Sequence, residues 1–118
     1  MNTAQFDLDQ YSFYQVASEN EIHPGERLFI EIGDHPIVLL NIDGKLYAIG
    51  DVCTHDDGPL GDGEIDGWAI VCPRHGARFD VRTGAVLAFP AVRPVPVYPV
   101  RVMDGRIEIG ILNGQTRQ

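Results

Sequence analysis

The chain has 118 residues, a length that fits one domain and leaves no room for separate catalytic and cofactor domains. Hydrophobic residues make up 44% and charged residues 22%, a globular composition that excludes a collagen, a coiled coil or a disordered chain. Seventeen acidic residues against nine basic ones leave a net charge of -8 with histidine neutral, so nucleic acid is not an expected partner.

The first ten residues carry Asp7 and Asp9 and have neither the basic start nor the apolar run of a secretory signal. Glycine, proline or a charged residue interrupts every apolar run well before the roughly 20 residues that a membrane helix needs. We therefore expect a soluble, cytoplasmic protein without a membrane segment. In that compartment, two cysteines indicate metal binding or chemistry rather than a disulfide.

Alternation of apolar and polar residues in short runs predicts β-strands, and helical spacing is scarce. A first strand is expected around Phe13, Tyr14 and Val16. Three later strands should each bury one face, formed by Leu28, Ile30 and Ile32, by Val38, Leu40 and Ile42, and by Ile107, Ile109 and Ile111. We expect eight or nine short strands in an all-β antiparallel sandwich or small barrel.

Glycine-containing dipeptides between apolar runs predict the turns of this fold. Gly33-Asp34 is one, and three Asp-Gly pairs suit type I′ hairpin turns, namely Asp43-Gly44, Asp66-Gly67 and Asp104-Gly105. Between residues 95 and 102 the apolar phase slips by one residue at Tyr98. The slip predicts a bulge or a strand edge near Pro99, because proline cannot donate to a strand ladder.

Both cysteines and two of the four histidines lie in two short loops that follow strands. The first loop reads Cys53-Thr54-His55, and after sixteen residues the second reads Cys72-Pro73-Arg74-His75. Two thiolates with two imidazoles can hold zinc or an iron-sulfur cluster. Each loop offers one cysteine and one histidine, which favours two metals clamped between the loops, with His₂ replacing Cys₂ on one iron of a [2Fe–2S] cluster as in a Rieske centre.

The motif resembles that of the bacterial Rieske-type ferredoxins, which serve ring-hydroxylating dioxygenase systems. The resemblance covers a core of about residues 12–112, and it continues through Phe79-Asp80, Thr83-Gly84, the proline segment 90–94 and the closing 100–109 hairpin. It implies a β-sandwich with a small cluster-binding subdomain made of two loops. The implied domain spans residues 1–118.

The same resemblance implies one [2Fe–2S] cluster per chain, with Cys53 and Cys72 on the inner iron. His55 and His75 would bind the outer iron through Nδ1, and Pro90-Ala91-Val92 would form a loop covering the cluster. Two imidazoles in place of two thiolates leave the oxidised cluster neutral, which raises its reduction potential into the range of about -150 to +300 mV.

Four departures from the high-potential members of the wider family predict a value at the low end of that range. Gly58 and Arg74 stand where those members have disulfide cysteines, Ala77 replaces a serine, and Phe79 replaces a tyrosine. Without hydroxyl donors to sulfur, the reduced state is less stabilised. Asp56 and Asp57 are expected to lower the potential further.

The implied function is electron transfer from a flavin-dependent NAD(P)H reductase to a terminal oxygenase, by a monomer that is not itself an enzyme. All four ligands are used, so no open metal position or catalytic residue is expected. Alternatives of the same kind are a Rieske protein of iron-sulfur assembly and the small subunit of a nitrite reductase. A structural Cys₂His₂ zinc module and an enzyme with an activated cysteine are the alternatives from other classes.

Several residues outside the ligand set carry weaker expectations. The acidic residues of segment 51–66 suggest either a solvated hairpin or a rim that steers basic partners. Arg74, Arg78 and Arg82 are expected to pair with those acids or to meet a partner. Trp68 is expected in the core, Phe89 under the proline loop, and no role is assigned to His23 and His35.

Overall fold

The computed structural model describes residues 6–91 and 93–114, so Val92 of the expected proline loop lies outside the described residues. Eleven strands are present in those two ranges. They are β1 (Tyr11–Ser18), β2 (Arg27–Ile32), β3 (His35–Ile42), β4 (Lys45–Gly50), β5 (Glu64–Asp66), β6 (Ala69–Val71), β7 (Arg78–Asp80), β8 (Val86–Ala88), β9 (Val97–Tyr98), β10 (Val100–Met103) and β11 (Arg106–Leu112).

The strands form three antiparallel sheets. The first has the order β1-β11-β10, the middle one β2-β3-β4-β9, and the third β5-β6-β7-β8. Two single 3-10 turns, Leu8–Gln10 and Glu19–Glu21, are the helical elements of the described ranges. Neither is long and apolar enough to cross a membrane.

The two central strands of the middle sheet, β3 and β4, are buried on both faces. Val38 and Leu40 of β3 point into one core, which also contains both cysteines and which we call the loop-side core. Ile37 and Leu39 point into the opposite core, the sandwich core between the first and middle sheets. Because successive side chains of a strand alternate between faces, one apolar run serves both cores.

Two of the predicted apolar strand faces, those of β2 and β11, are confirmed in the sandwich core. Its members include Ile32 of β2 and the three isoleucines of β11, and Leu28 and Ile30 pack against it. The all-β antiparallel architecture is likewise confirmed. The strand number exceeds the expected eight or nine because the five strands β5 to β9 are each only two or three residues long.

Two of the three expected type I′ turns have positive φ at both central residues. These are Asp43-Gly44 and Asp104-Gly105. The third prediction is wrong: Asp66 still belongs to β5, and the turn is Gly67-Trp68 with positive φ at Gly67. Glycine at the first central position is what a type II′ hairpin requires.

The phase slip at Tyr98 marks a change of sheet. Tyr98 in β9 pairs with Ala48 of the middle sheet, whereas Val100 in β10 pairs with Ile109 of the first sheet. Pro99 separates the two strands, and its carbonyl accepts a hydrogen bond from the Gly110 amide at 2.9 Å. The expected strand edge is therefore present, and the register shift of the first sheet lies elsewhere, between Gln15 and Ala17 of β1.

A contact between Gly84 and Val95 holds the β7–β8 turn against the chain that follows the proline segment. Gly84 has a φ of +83°, and a Cβ there would lie 2.1 Å from the Val95 carbonyl oxygen. Gly67 has a φ of +64° with nothing within 4 Å of its Cβ position. Replacement by alanine should therefore cost about 1 kcal/mol at Gly67, from backbone strain alone, and about 3 kcal/mol or more at Gly84.

Urea unfolding of Gly84→Ala and Gly67→Ala, followed by circular dichroism, measures this difference. The two variants share the left-handed backbone and differ in the neighbouring carbonyl. Equal losses of unfolding free energy would contradict the importance of the Gly84–Val95 contact.

Candidate metal centre

Loop 1, residues 53–58, follows β4 and is closed by two backbone hydrogen bonds. The Cys53 amide donates to the Gly58 carbonyl at 2.7 Å, and the Asp57 amide donates to the Cys53 carbonyl at 2.7 Å. Asp57 has a φ of 61°, a left-handed conformation that aspartate adopts more readily than most residues. The loop therefore turns back on its own first residue.

Loop 2, residues 72–77, connects β6 to β7 and repeats this pattern. The Cys72 amide donates to the Ala77 carbonyl at 2.7 Å, and the Gly76 amide donates to the Cys72 carbonyl at 3.0 Å. Gly76, with a φ of 78°, stands four residues after its cysteine, as Asp57 does. The two loops thus share a backbone shape.

That shape directs backbone amides at each sulfur. The amides of His55 and Asp56 donate to Cys53, but burial and the adjoining thiol of Cys72 outweigh them and raise the pKa of Cys53. Burial opposes ionisation at Cys72 as well, yet hydrogen bonds from the amides of Arg74 and His75 bring its pKa below the usual range. Such donors stabilise a thiolate, the form that binds metal.

The two loops bring all four predicted ligand residues together in an inner and an outer pair. Cys53 and Cys72 are 0% and 1% exposed, and their sulfurs lie within 4.8 Å of each other. His55 and His75 are exposed, with ring nitrogens within 4.8 Å of each other and ring centroids 5.1 Å apart. This donor set, thiols inside and imidazoles outside, fits an asymmetrically bound [2Fe–2S] cluster.

An ion pair joins the loops beside these residues. Arg74 donates from Nε and Nη2 to the two carboxylate oxygens of Asp56, at 2.7 and 2.9 Å. The guanidinium holds the pKa of Asp56 well below its usual range. The expected pairing of Arg74 with an acid of segment 51–66 is therefore present, and the positive charge of Arg74 offsets part of the effect on the potential that was expected of Asp56.

The other two arginines near loop 2 also pair with acids. Arg78 donates to Asp66 at 2.5 Å, and Arg82 donates to Asp80 at 2.9 Å. Two carboxylates of segment 51–66, Asp56 and Asp66, are therefore engaged by arginines rather than left as part of an open acidic rim.

Polar contacts that sequence reasoning missed hold the chain after loop 1. The Asp51 carboxylate accepts hydrogen bonds from the amides of Leu60 and Gly61 at 3.0 and 2.6 Å. From β2, Arg27 donates to the carbonyls of Gly61 and Gly63. The signal in the sequence was Asp51, a charged residue directly after the apolar run of β4. Such residues are too common to identify a role in holding the neighbouring loop.

A third segment, after the proline turn, is attached to loop 1. The Thr54 hydroxyl donates to the Arg93 carbonyl at 2.6 Å, and Arg93 Nη2 donates to the Thr54 carbonyl at 2.7 Å. Because Thr54 stands between Cys53 and His55, this reciprocal pair places the segment next to two of the predicted ligands.

Three further expectations can be compared with the structure. Ala77 and Phe79 are fully buried with the cysteines, and neither carries a hydroxyl. Trp68 is partly buried, with its ring 5.6 Å from that of Tyr47 and 4.9 Å from the Arg82 guanidinium carbon. The placement of Phe89 under the proline loop is wrong, since 82% of this residue is exposed.

Comparisons with known proteins agree with this site. A family model described as the Rieske [2Fe-2S] domain matches residues 12–99. The biphenyl dioxygenase ferredoxin subunit of Pseudomonas sp. (strain KKS102) is 36% identical over 96 residues, covering 80% of this chain and 87% of that protein.

Two solved structures are also similar. The ferredoxin of carbazole 1,9a-dioxygenase from Nocardioides aromaticivorans IC177 has a TM-score of 0.77 and 32% identity, covering 83% of this chain and 96% of that one. A chain in the complex of reduced oxygenase and oxidised ferredoxin in carbazole 1,9a-dioxygenase has a TM-score of 0.75 and 31% identity, covering 81% and 99%. The chain belongs to the Rieske [2Fe–2S] domain family, as an electron carrier with one such cluster.

Proposed function

We propose that this protein carries single electrons from a flavin-dependent NAD(P)H reductase to a terminal ring-hydroxylating oxygenase. The observation that carries the proposal is the pairing of two buried cysteines with two exposed histidines on two loops of the same shape. The reductase and the oxygenase come from the similarity to ferredoxin components of dioxygenase systems. Since NAD(P)H is a cytoplasmic cofactor, the proposal places the carrier in the cytoplasm.

The proposed ligands are Cys53 and Cys72 for the inner iron, and His55 and His75, through Nδ1, for the outer iron. A [2Fe–2S] cluster bound there supplies reversible one-electron chemistry. The backbone amides of both loops donate to the two sulfurs and so favour their thiolate forms. The loop-side core that surrounds the cysteines excludes water from them.

The two histidines give the proposed path for the electron between the protein interior and a partner. Their side chains are the exposed members of the set, and 53% of the His75 side chain is accessible. The buried cysteines cannot contact a partner directly. We therefore propose one domain, residues 1–118, whose partners all dock over the imidazoles.

The experiment that tests this function is electron paramagnetic resonance of the dithionite-reduced protein. The wild-type protein should be red-brown and give a Rieske-type spectrum, while Cys72→Ser and His75→Ala should each abolish that spectrum by removing a ligand. Thr83→Ala, a change at an exposed turn away from the ligands, serves as the control and should leave the spectrum intact.

Metal and sulfide analysis distinguishes the zinc alternative. Anaerobically purified protein should contain two irons and two acid-labile sulfides per chain. A colourless protein with stoichiometric zinc and no sulfide would refute the proposed function.

The reduction potential should lie near the low end of the Rieske range, about -150 mV. Ala77 and Phe79 provide no hydroxyl for the sulfurs, so the added negative charge of the reduced state receives less stabilisation than in high-potential members. Protein-film voltammetry measures the midpoint potential. A midpoint above about +100 mV would contradict this explanation.

An exposed apolar surface lies beside the proposed electron path. Phe89 is 82% and Leu87 52% exposed, and both belong to or follow the edge strand β8. Ala88 pairs with Arg78, the first residue after loop 2, so Phe89 lies at the same end of the sheet as His75. A specific interface covers about 800 Å² on each partner, and we propose that it includes both the imidazoles and this surface.

We assign this surface to the terminal oxygenase, since a similar ferredoxin chain occurs in a complex with an oxygenase. Phe89→Ala should raise the KM for ferredoxin roughly tenfold in a reconstituted assay with the oxygenase component of biphenyl dioxygenase. Met103→Ala, at an exposed residue on β10 in the first sheet, is the control and should leave the KM unchanged. The midpoint potential of both variants should equal that of wild type. An unchanged KM for Phe89→Ala would remove this residue from the docking surface.

A further inference from the structure

One arginine of loop 2 donates three hydrogen bonds to loop 1 and to the residue that follows it. Arg74 of loop 2 uses Nε and Nη2 for the two Asp56 oxygens, and its Nη1 donates to the Pro59 carbonyl at 2.7 Å. Its guanidinium also lies over Gly58, where a Cβ would be only 2.7 Å from Nη2. The guanidinium therefore packs against Gly58 while its hydrogen bonds reach the residues on either side of that glycine, Asp56 and Pro59.

Among the residues that the structure describes, Asp56 is the one acidic group that lies close to both pairs of candidate ligands. Its carboxylate lies within 4.8 Å of the two cysteine sulfurs and also within 4.8 Å of the two histidine nitrogens. Its Oδ2 is 3.6 Å from His75 Nδ1, the atom proposed to bind the outer iron. Two histidines with one carboxylate form a set that binds a single ferrous ion. A free carboxylate at this place would thus compete for the metal.

We propose that Arg74 is a positioning residue: it links the two loops and holds both oxygens of Asp56 in a neutral pair, so that the carboxylate does not bind iron. The inference rests on the ligand set given under the proposed function. Both carboxylate oxygens are already occupied by strong, charge-assisted donors, which leaves Asp56 a poor competitor. The positive charge of Arg74 offsets a negative charge that would otherwise disfavour the reduced state.

The test compares Arg74→Gln, Asp56→Asn and the double variant in the isolated, cluster-loaded protein. Three properties are measured: the paramagnetic resonance spectrum of the reduced protein, the midpoint potential, and the rate at which a chelator bleaches the visible absorbance. Asp57→Asn combined with Arg74→Gln is the matched control, because Asp57 is the adjacent exposed carboxylate in loop 1.

Arg74→Gln should lower the midpoint potential, bleach severalfold faster and show an altered spectrum, since Asp56 then loses both guanidinium donors and its Oδ2 becomes available, while Oδ1 keeps the Gly58 amide at 3.0 Å. Asp56→Asn should raise the midpoint potential and keep the wild-type spectrum, but it should bleach as fast as Arg74→Gln. In the double variant the spectrum should return to wild type while bleaching stays at the rate of either single variant. The control double variant should keep the altered spectrum of Arg74→Gln.

Arg74→Lys separates charge from geometry and is measured even where Arg74→Gln assembles no cluster. Lysine retains the positive charge but cannot contact both oxygens in a fork, so the midpoint potential should stay near wild type while bleaching is faster. A wild-type spectrum, potential and bleaching rate in Arg74→Gln would overturn the inference, as would additive bleaching effects of Arg74→Gln and Asp56→Asn. A wild-type protein without a Rieske spectrum would instead refute the proposed function.

Discussion

The structure depends on bringing two ionisable sulfurs together inside an apolar core. Cys53 and Cys72 pack with residues such as Leu60 and Phe79, an environment that disfavours a charged thiolate. In each loop the backbone folds back around its cysteine and directs amide donors at the sulfur, which offsets part of the cost of burying a thiolate. A side-chain donor could be lost by one mutation, whereas amides persist as long as the loop keeps its shape.

Around this inner pair, polar side chains hold three parts of the site in place: the chain after loop 1, the segment after the proline turn, and loop 2. Arg27 and Asp51 hold the chain that leaves loop 1, and Arg93 attaches the segment after the proline turn to Thr54. Arg74 connects loop 2 to loop 1. The loops are thus held by charge-assisted hydrogen bonds at their rims and by apolar packing at their centre, which matches the buried and exposed halves of the ligand set.

Much of the fold could be predicted from sequence because its signals are local. The alternation of Ile107, Ile109 and Ile111 fixes one face, and Asp43-Gly44 specifies a turn by its own conformational preference. The phase slip at Tyr98 was visible, but its cause, a change from one sheet to another, depends on distant strands. The four candidate ligands were likewise suggested by a local signal, the spacing of one cysteine and one histidine within each loop.

What the sequence could not reveal are contacts between segments far apart along the chain. The sequence predicted that Arg74 either pairs with an acid of segment 51–66 or meets a partner protein, but it could not single out Asp56 among those acids. Phe89 was predicted to pack under the proline loop, whereas in the structure it directly follows the edge strand β8 and is exposed. In both cases the surroundings of a surface side chain depend on how the complete chain folds.

The middle sheet that separates the two cores has a consequence for engineering. In β3, Val38 faces the cysteines and Leu39 faces the sandwich, so inserting or deleting one residue in this strand would exchange the two sets of side chains. Alternate side chains of β3 therefore belong to the core around the cysteines and to the sandwich core, so both halves of the molecule depend on the same strand. Replacing the cysteine loops leaves β3 unchanged. Redesigning the sandwich core, in contrast, changes the strand that also lines the core around the cysteines.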